Sequence, residues 1–199
     1  MAIRKIIGKP STKASYAYLI EKKRDGHEFT EEEVRNIVDS ILDDEMPDSQ
    51  MAALIMAIYF KDMAAQETAV FADEMILTGE TLDLSHITRP KVAKYSTGGV
   101  GDKTSLILAA VGAACGVVVP GMTSPDEDFV LTVEDKMASI PGFKTKLTLD
   151  EFQKQLSTIG CAICEHDNSI SPVDEKIYNM RHMTATKQSA LLIPKRCLS

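Results

Sequence analysis

The chain has 199 residues, 44% of them apolar and 26% charged, with 29 acidic against 22 basic side chains and a net charge of −7. That composition is ordinary for a globular protein with a core of its own and excludes disordered, collagen-like and coiled-coil classes. The absence of tryptophan, the 6% aromatic content and the acidic balance argue against nucleic-acid and anionic-membrane partners, yet leave room for a local anion site.

In chain order, the N-terminal stretch starts basic but lacks a continuous apolar segment and a small-residue cleavage site, so no targeting signal is read there. A weak helix is expected over residues 14–23. Thr30-Glu31-Glu32-Glu33 is a capping box, in which a hydroxyl and a carboxylate satisfy orphan amides reciprocally. Val34, Ile37, Val38, Ile41 and Leu42 follow it at helical spacing. Asp48 and Ser49 are candidate caps for a third helix. Its residues 51–60 are apolar nearly all round, which predicts a central position in a helical cluster. That run is far short of the roughly 20 residues a membrane span needs, so a cytoplasmic protein is expected. A fourth helix runs over 65–78 and stops at Gly79. Met51, Met56, Met63 and Met75 read as helix core.

The texture changes near Pro90. Val92-Ala93-Lys94-Tyr95 reads as a short strand, residues 96–103 as a glycine-rich turn, and 104–114 as an apolar helix ended by Gly116. Val117-Val118-Val119 reads as a buried strand stopped by Pro120, which completes one βαβ unit of a parallel sheet. A second capping box, Thr148 to Glu151, opens a helix that Gly160 ends. Cys161-Ala162-Ile163-Cys164 follows as a strand, whose cysteines are read as buried rather than as a redox or metal pair. Ser171-Pro172 opens a last helix through Arg181. The expected organisation is a helical domain over 1–82, joined by 171–199, and a partial parallel-sheet α/β domain over 90–170. His27, His86, His166 and His182 lack metal-ligand spacing and are read as surface or capping residues, and no metal site is expected; the alternative for His166 with Asp167, which follow a strand end, is a place lining the cleft.

The glycine loop carries the chemistry. Successive glycines let main-chain amides approach an oxyanion, and the following helix points its N-terminus at the loop. Ser96, Thr97, Thr104 and Ser105 add hydroxyls, and Lys94 and Lys103 add positive charge. The loop is neither of the common nucleotide motifs. From the residues alone it is either an anion site or a tight structural turn.

Lys94-Tyr95-Ser96-Thr97-Gly98-Gly99-Val100-Gly101-Asp102-Lys103 resembles the K-H-S-T-G-G-V-G-D motif of the thymidine and pyrimidine-nucleoside phosphorylases. The resemblance runs along most of the chain. It includes Gln50-Met51-Ala52-Ala53-Leu54, the stretch Ser139-Ile140-Pro141-Gly142-Phe143, and Ser171-Pro172-Val173-Asp174 through Tyr178, Arg181 and Thr184-Ala185-Thr186. It implies a helical bundle plus a partial α/β domain of the nucleoside phosphorylase and phosphoribosyltransferase type. It also implies phosphorolysis: inorganic phosphate attacks the anomeric carbon of a pyrimidine nucleoside and releases the base. By that resemblance Lys94, Ser96, Ser105 and Thr123 hold phosphate within the loop of Gly98, Gly99 and Gly101. Arg181 contacts the pyrimidine, and Tyr95 stands at the position of a histidine proton donor. Phosphate is a co-substrate and no further cofactor is implied. A homodimer through the helical domain is implied, as is a cleft that closes between the two domains.

The sequence departs from that family in four places. Tyr95 replaces the histidine, and a phenol is a poorer donor. A glycine-rich phosphate loop becomes residues 123–133, with Asp126, Glu127 and Asp128 in a row, read as an exposed acidic loop rather than a metal site. A base-contacting serine falls at Arg196. Family members are more than twice this length. Two rivals therefore stand beside the phosphorylase: a non-catalytic scaffold or dimerisation module, and an enzyme like anthranilate phosphoribosyltransferase.

Overall fold

The computed structural model describes residues 14–79, 82–94, 103–123, 133–165 and 172–186. The chain divides into two compact units, residues 1–80 with 168–198, and residues 81–167.

The first unit is all helical. It contains α1 (Tyr16–Arg24), α2 (Glu31–Leu42), α3 (Asp48–Lys61), α4 (Ala65–Thr78) and α8 (Pro172–Thr184). Helix α2 opens on the predicted capping box, with the Thr30 hydroxyl accepting from the Glu33 N–H and Glu33 accepting from the Thr30 N–H. Its apolar residues at i, i+3, i+4 and i+7 form one buried stripe, Val34, Ile37, Val38 and Ile41. Helix α1 packs on α3, α2 on α4, and α8 against α2, α3 and α4. Leu19, Ile58, Phe71, Met75, Val173 and Ile177 fill the space between them.

Two expectations about α3 are corrected. Neither Asp48 nor Ser49 caps it: Pro47 is the N-cap and Asp48 is the first helical residue, where its carboxylate still suits the positive end of the helix. Nor is α3 buried all round. Met51, Leu54, Ile55 and Ile58 face the core, while Ala53, Tyr59 and Phe60 are exposed, because α1 and α8 cover only part of its circumference. Of the four core methionines, Met51 and Met75 are buried and Met56 and Met63 are half-buried.

The helical unit also buries an ion pair. Lys23 and Glu67 are only 3% and 2% exposed. The Lys23 ammonium donates to both Glu67 oxygens, at 2.6 and 2.9 Å, and to the Asp62 carbonyl at 3.2 Å. Glu67 also accepts from the Phe29 and Ala64 N–H groups, both at 2.7 Å. All the Glu67 lone pairs are thereby engaged, which is the condition for tolerating a charge at that depth.

The second unit contains α5 (Thr104–Ala114), β1 (Val119–Thr123), α6 (Val133–Ala138), α7 (Leu149–Ile159) and β2 (Cys161–Glu165). Strands β1 and β2 are parallel, with Val119 opposite Cys161 and Thr123 opposite Glu165. Lys91 bridges Val118 on one side and Lys146 bridges Glu165 on the other, both parallel. Ile87, Val118, Phe152, Leu156, Ala162 and Cys164 form the core. The second capping box opens α7, and Gly160 ends it in the left-handed region at φ 90°, a conformation that disfavours side chains.

One proline corrects two strand predictions. Pro120 does not stop the strand: β1 runs through it to Thr123. Val119 donates to the Gly160 carbonyl, so alternate N–H groups from Val119 onward point toward β2. The nitrogen of Pro120 points to the opposite edge, where Val118 donates to the Pro90 carbonyl and accepts from the Val92 N–H. The next rung on that edge would need an N–H from residue 120, which proline lacks. Residues 92–94 therefore form no strand, only the bridge at Lys91. The sequence pattern assigns no element to 133–138, where α6 forms. The β2 cysteines alternate: Cys164 is buried and Cys161 half-buried, while Cys115 is exposed.

Helix α5 is apolar on both faces. Ala109 faces the sheet and is buried, whereas Ile107, Leu108 and Val111 are 64, 44 and 51% exposed and form a stripe along its outer side. Among the described residues no helix is long and apolar enough to cross a membrane.

The ion pairs and caps make two predictions. Glu67→Gln strands the Lys23 charge in the core and is expected to destabilise the helical unit by about 3–5 kcal/mol, read as a lower urea midpoint. The second concerns Glu33, which pairs with Lys22 at 2.6 Å. Burial pushes its carboxyl up, but the hydrogen bonds from Lys22 and the Thr30 N–H, with the Lys22 charge, outweigh that and hold it below its ordinary 4.5. A carboxylate depressed by folding stabilises above its unfolded pKa, and that stability is lost as pH falls through the folded value. Thermal stability is thus expected to drop below about pH 4.5, with a shallower drop in Glu33→Gln.

Candidate functional site

In a parallel α/β sheet the ligand-bearing edge lies at the carboxyl ends of the strands. The chain bridges Val118 at Lys91, leaves that bridge through Lys94, and re-enters at the N-terminus of α5 before returning as β1. The order of elements places Lys94, the start of α5 and Thr123, the last residue of β1, on that one edge.

There the Lys94 ammonium donates to the Ser105 hydroxyl oxygen at 2.7 Å. Both residues are half-buried. An ammonium donating into a hydroxyl oxygen turns the hydroxyl proton away from itself, so the two groups are donors aimed in different directions. Ser105 lies in the first turn of α5, whose N-cap is Lys103 with no side-chain capping bond. The orphan amides of that turn have no capping oxygen from Lys103, and a cation sits at the positive end of the helix dipole. Both features suit a bound anion. The sequence-predicted residues Tyr95, Ser96, Gly98, Gly99 and Gly101 lie outside the described residues, as do Asp126, Glu127, Asp128 and Arg196 and the side chain of Thr123.

Arg181 belongs to the helical unit, in the last turn of α8. It is 6% exposed, and its Nε makes no hydrogen bond among the described residues. Its guanidinium carbon lies 3.5 Å from the centroid of the Tyr178 ring. Sequence reasoning gives Tyr178 no role, although its spacing of three from Arg181 on a helix is the signal that would have found it. His27 and His86 are exposed. His166 and the side chain of His182 lie outside the described residues. Among the described residues no cluster of His, Cys, Asp or Glu is suited to a metal ion.

A helical bundle combined with a parallel α/β unit, in which a lysine and a hydroxyl meet at the start of a helix, defines a two-domain class of fold. Residues 17–79 match the helical bundle domain of the glycosyl transferase family, and residues 88–195 match that family's a/b domain. The chain belongs to this family. The pyrimidine-nucleoside phosphorylase of Geobacillus stearothermophilus is 41% identical over 181 residues, 91% of this chain and 42% of the relative. That of Bacillus subtilis is 40% identical with the same coverage, and the thymidine phosphorylase of Sinorhizobium medicae is 37% identical over 91% of this chain and 41% of its own length. The chain thus spans about two fifths of the length of these relatives. The resemblance carried by the Lys94–Lys103 segment is the one these relatives bear out. In fold, the crystal structure of anthranilate phosphoribosyltransferase from Thermus thermophilus is similar, with a TM-score of 0.72 at 19% identity, covering 89% of this chain and 54% of that one.

The Lys94–Ser105 site makes a direct prediction. Inorganic phosphate at a hundredfold excess over its Kd is expected to stabilise the folded chain by about 2.7 kcal/mol, a melting-temperature rise of roughly 5–10 °C for a chain of this size. Lys94→Ala is expected to abolish the rise. An equal rise in both proteins would remove phosphate from this site.

Proposed function

We propose that this chain carries the phosphate- and pyrimidine-binding parts of a pyrimidine-nucleoside phosphorylase. In the reaction a phosphate oxygen bonds to the anomeric carbon as the glycosidic C–N bond breaks, giving a pentose 1-phosphate and the free base. The base leaves with the bonding electron pair and takes up a proton. The transition state is oxocarbenium-like, so catalysis consists of placing phosphate and neutralising charge on the departing base. Lys94 and Ser105, with Ser96, Thr123 and the amides of Gly98, Gly99 and Gly101, hold the phosphate. Arg181 donates to a pyrimidine carbonyl. Tyr95 stands where the base is protonated. Phosphate is a co-substrate, and no other cofactor takes part.

The observation that carries this reading is the Lys94–Ser105 contact at 2.7 Å at the start of α5, whose N-cap residue Lys103 makes no side-chain capping bond, in a chain about 40% identical to proteins of that name. A homodimer through the helical unit belongs to the same proposal, supported by the exposed Tyr18, Tyr59 and Phe60, and so does a cytoplasmic location. A second reading, a non-catalytic scaffold, is favoured by the exposed outer stripe of α5, which is apolar enough to take a partner.

The test is phosphate-dependent release of uracil or thymine from the nucleoside, by the chain alone and by the chain mixed with a polypeptide carrying the remainder of a relative. Release that needs phosphate and is lost in Lys94→Ala is expected. No release in either mixture would overturn the catalytic reading in favour of the scaffold. Sedimentation of the same preparation reads the dimer.

A further inference from the structure

Arg181 is buried where an arginine near a helix end is ordinarily solvated. A buried guanidinium N–H with no acceptor is costly, and a long side chain on a terminal helical turn has the freedom to swing toward water. It remains buried, with its Nε unpartnered among the described residues. The group lying against it is Tyr178, one turn back on α8, with the guanidinium carbon 3.5 Å from the ring centroid. At that separation the cation lies over the ring face. A planar guanidinium covered on one face makes its hydrogen bonds through its edge. The main chain is fixed as well: Thr186 donates to the Arg181 carbonyl at 3.1 Å, and Ala185 takes the left-handed conformation at φ 54° that turns the chain back.

We infer that Tyr178 is a positioning residue, whose ring face sets the plane of the Arg181 guanidinium and aims its Nε edge at an in-plane acceptor. The acceptor class that suits such an edge is a carbonyl oxygen of a flat heterocycle. This rests on the reading of Arg181 as the pyrimidine contact. The stack itself exists without a ligand and can be tested without one.

The experiment uses the 15N-labelled chain, with the Arg181 Nε–H resonance assigned by its loss in Arg181→Lys. In the free protein that resonance is expected to be displaced upfield by the ring and slow to exchange. Tyr178→Leu, or Tyr178→Met where the leucine variant does not fold, is expected to abolish both properties. Tyr178→Phe is expected to keep them. On titration with uracil the resonance is expected to move in the wild type and in Tyr178→Phe with the same Kd, and the Kd to weaken roughly five- to tenfold in Tyr178→Leu, the range a desolvated cation–π contact supports. The positioning role is overturned if Tyr178→Leu leaves the free-protein resonance in place, or if Tyr178→Phe loses it as the leucine variant does. A resonance that answers to Tyr178 but never to uracil would instead overturn the pyrimidine reading and leave the stack standing.

Discussion

The helical unit is organised around one buried charge pair. Lys23 and Glu67 are 44 positions apart, and between them they hold α1, the Phe29 amide ahead of α2, the Asp62 carbonyl at the end of α3, and the Ala64 amide at the start of α4. A buried pair gains little net stability, because desolvation offsets most of the attraction. Its importance lies in the penalty for any other arrangement, since each misplaced helix leaves a charge or an amide unsatisfied in the core. Lys23 also lies 4.8 Å from the centroid of the Phe29 ring, which adds an apolar wall to the ammonium's surroundings. A second fastening extends the arrangement to the end of the unit. Lys176 of α8 donates to the Ile41 and Leu42 carbonyls at the C-terminus of α2, at 3.0 and 3.1 Å, and to Asp44. That docks the helix that carries Tyr178 and Arg181.

The α/β unit is governed by a different constraint, the direction of individual backbone N–H groups. Pro120 sits in register opposite Ala162 without disturbing β2, because its missing donor faces the other edge. On that other edge the ladder ends after one bridge, and the chain is released into the segment that leads through Lys94 toward the glycine loop. The residue that truncates the ladder is thus the one that keeps residues 92–94 out of the sheet. Helix α5 then closes the unit on one side only. A helix with apolar residues all round is suited to burial on all sides, and the described residues cover one of them.

The candidate site was partly legible. The glycine-rich segment with its flanking lysines and hydroxyls points to an anion by composition and order, and Lys94 and Ser105 do meet. Their eleven-residue separation alone did not require that contact. It follows from the return of α5 against β1. Arg181 was reached only through resemblance, since an arginine near the end of a helix is usually a solvated C-terminal charge. Its burial, and an Nε without a partner among the described residues, are tertiary facts. Tyr178 went unread because an aromatic at i−3 is as often core as stack, and the 3.5 Å distance decides between them.

What the sequence determined by itself was local. The capping boxes at Thr30 and Thr148, the glycines at 79 and 160, and the helical spacing of Val34 to Ile41 set where α2, α4 and α7 begin or end, because caps and turns are satisfied within a few residues. Tertiary structure decided everything that depends on a distant partner. In the run Lys22-Lys23-Arg24 nothing local distinguishes the three cations. Yet Lys22 bridges Glu33 near the surface, Lys23 is buried on Glu67, and Arg24 is exposed beside Asp25. The apolar face of α3 is selected by α1 and α8, and the reach of β1 by which side of the strand Pro120 turns to its neighbour. Burial and hydrogen-bond satisfaction are properties of pairs of elements, and a sequence read one segment at a time contains only half of each pair.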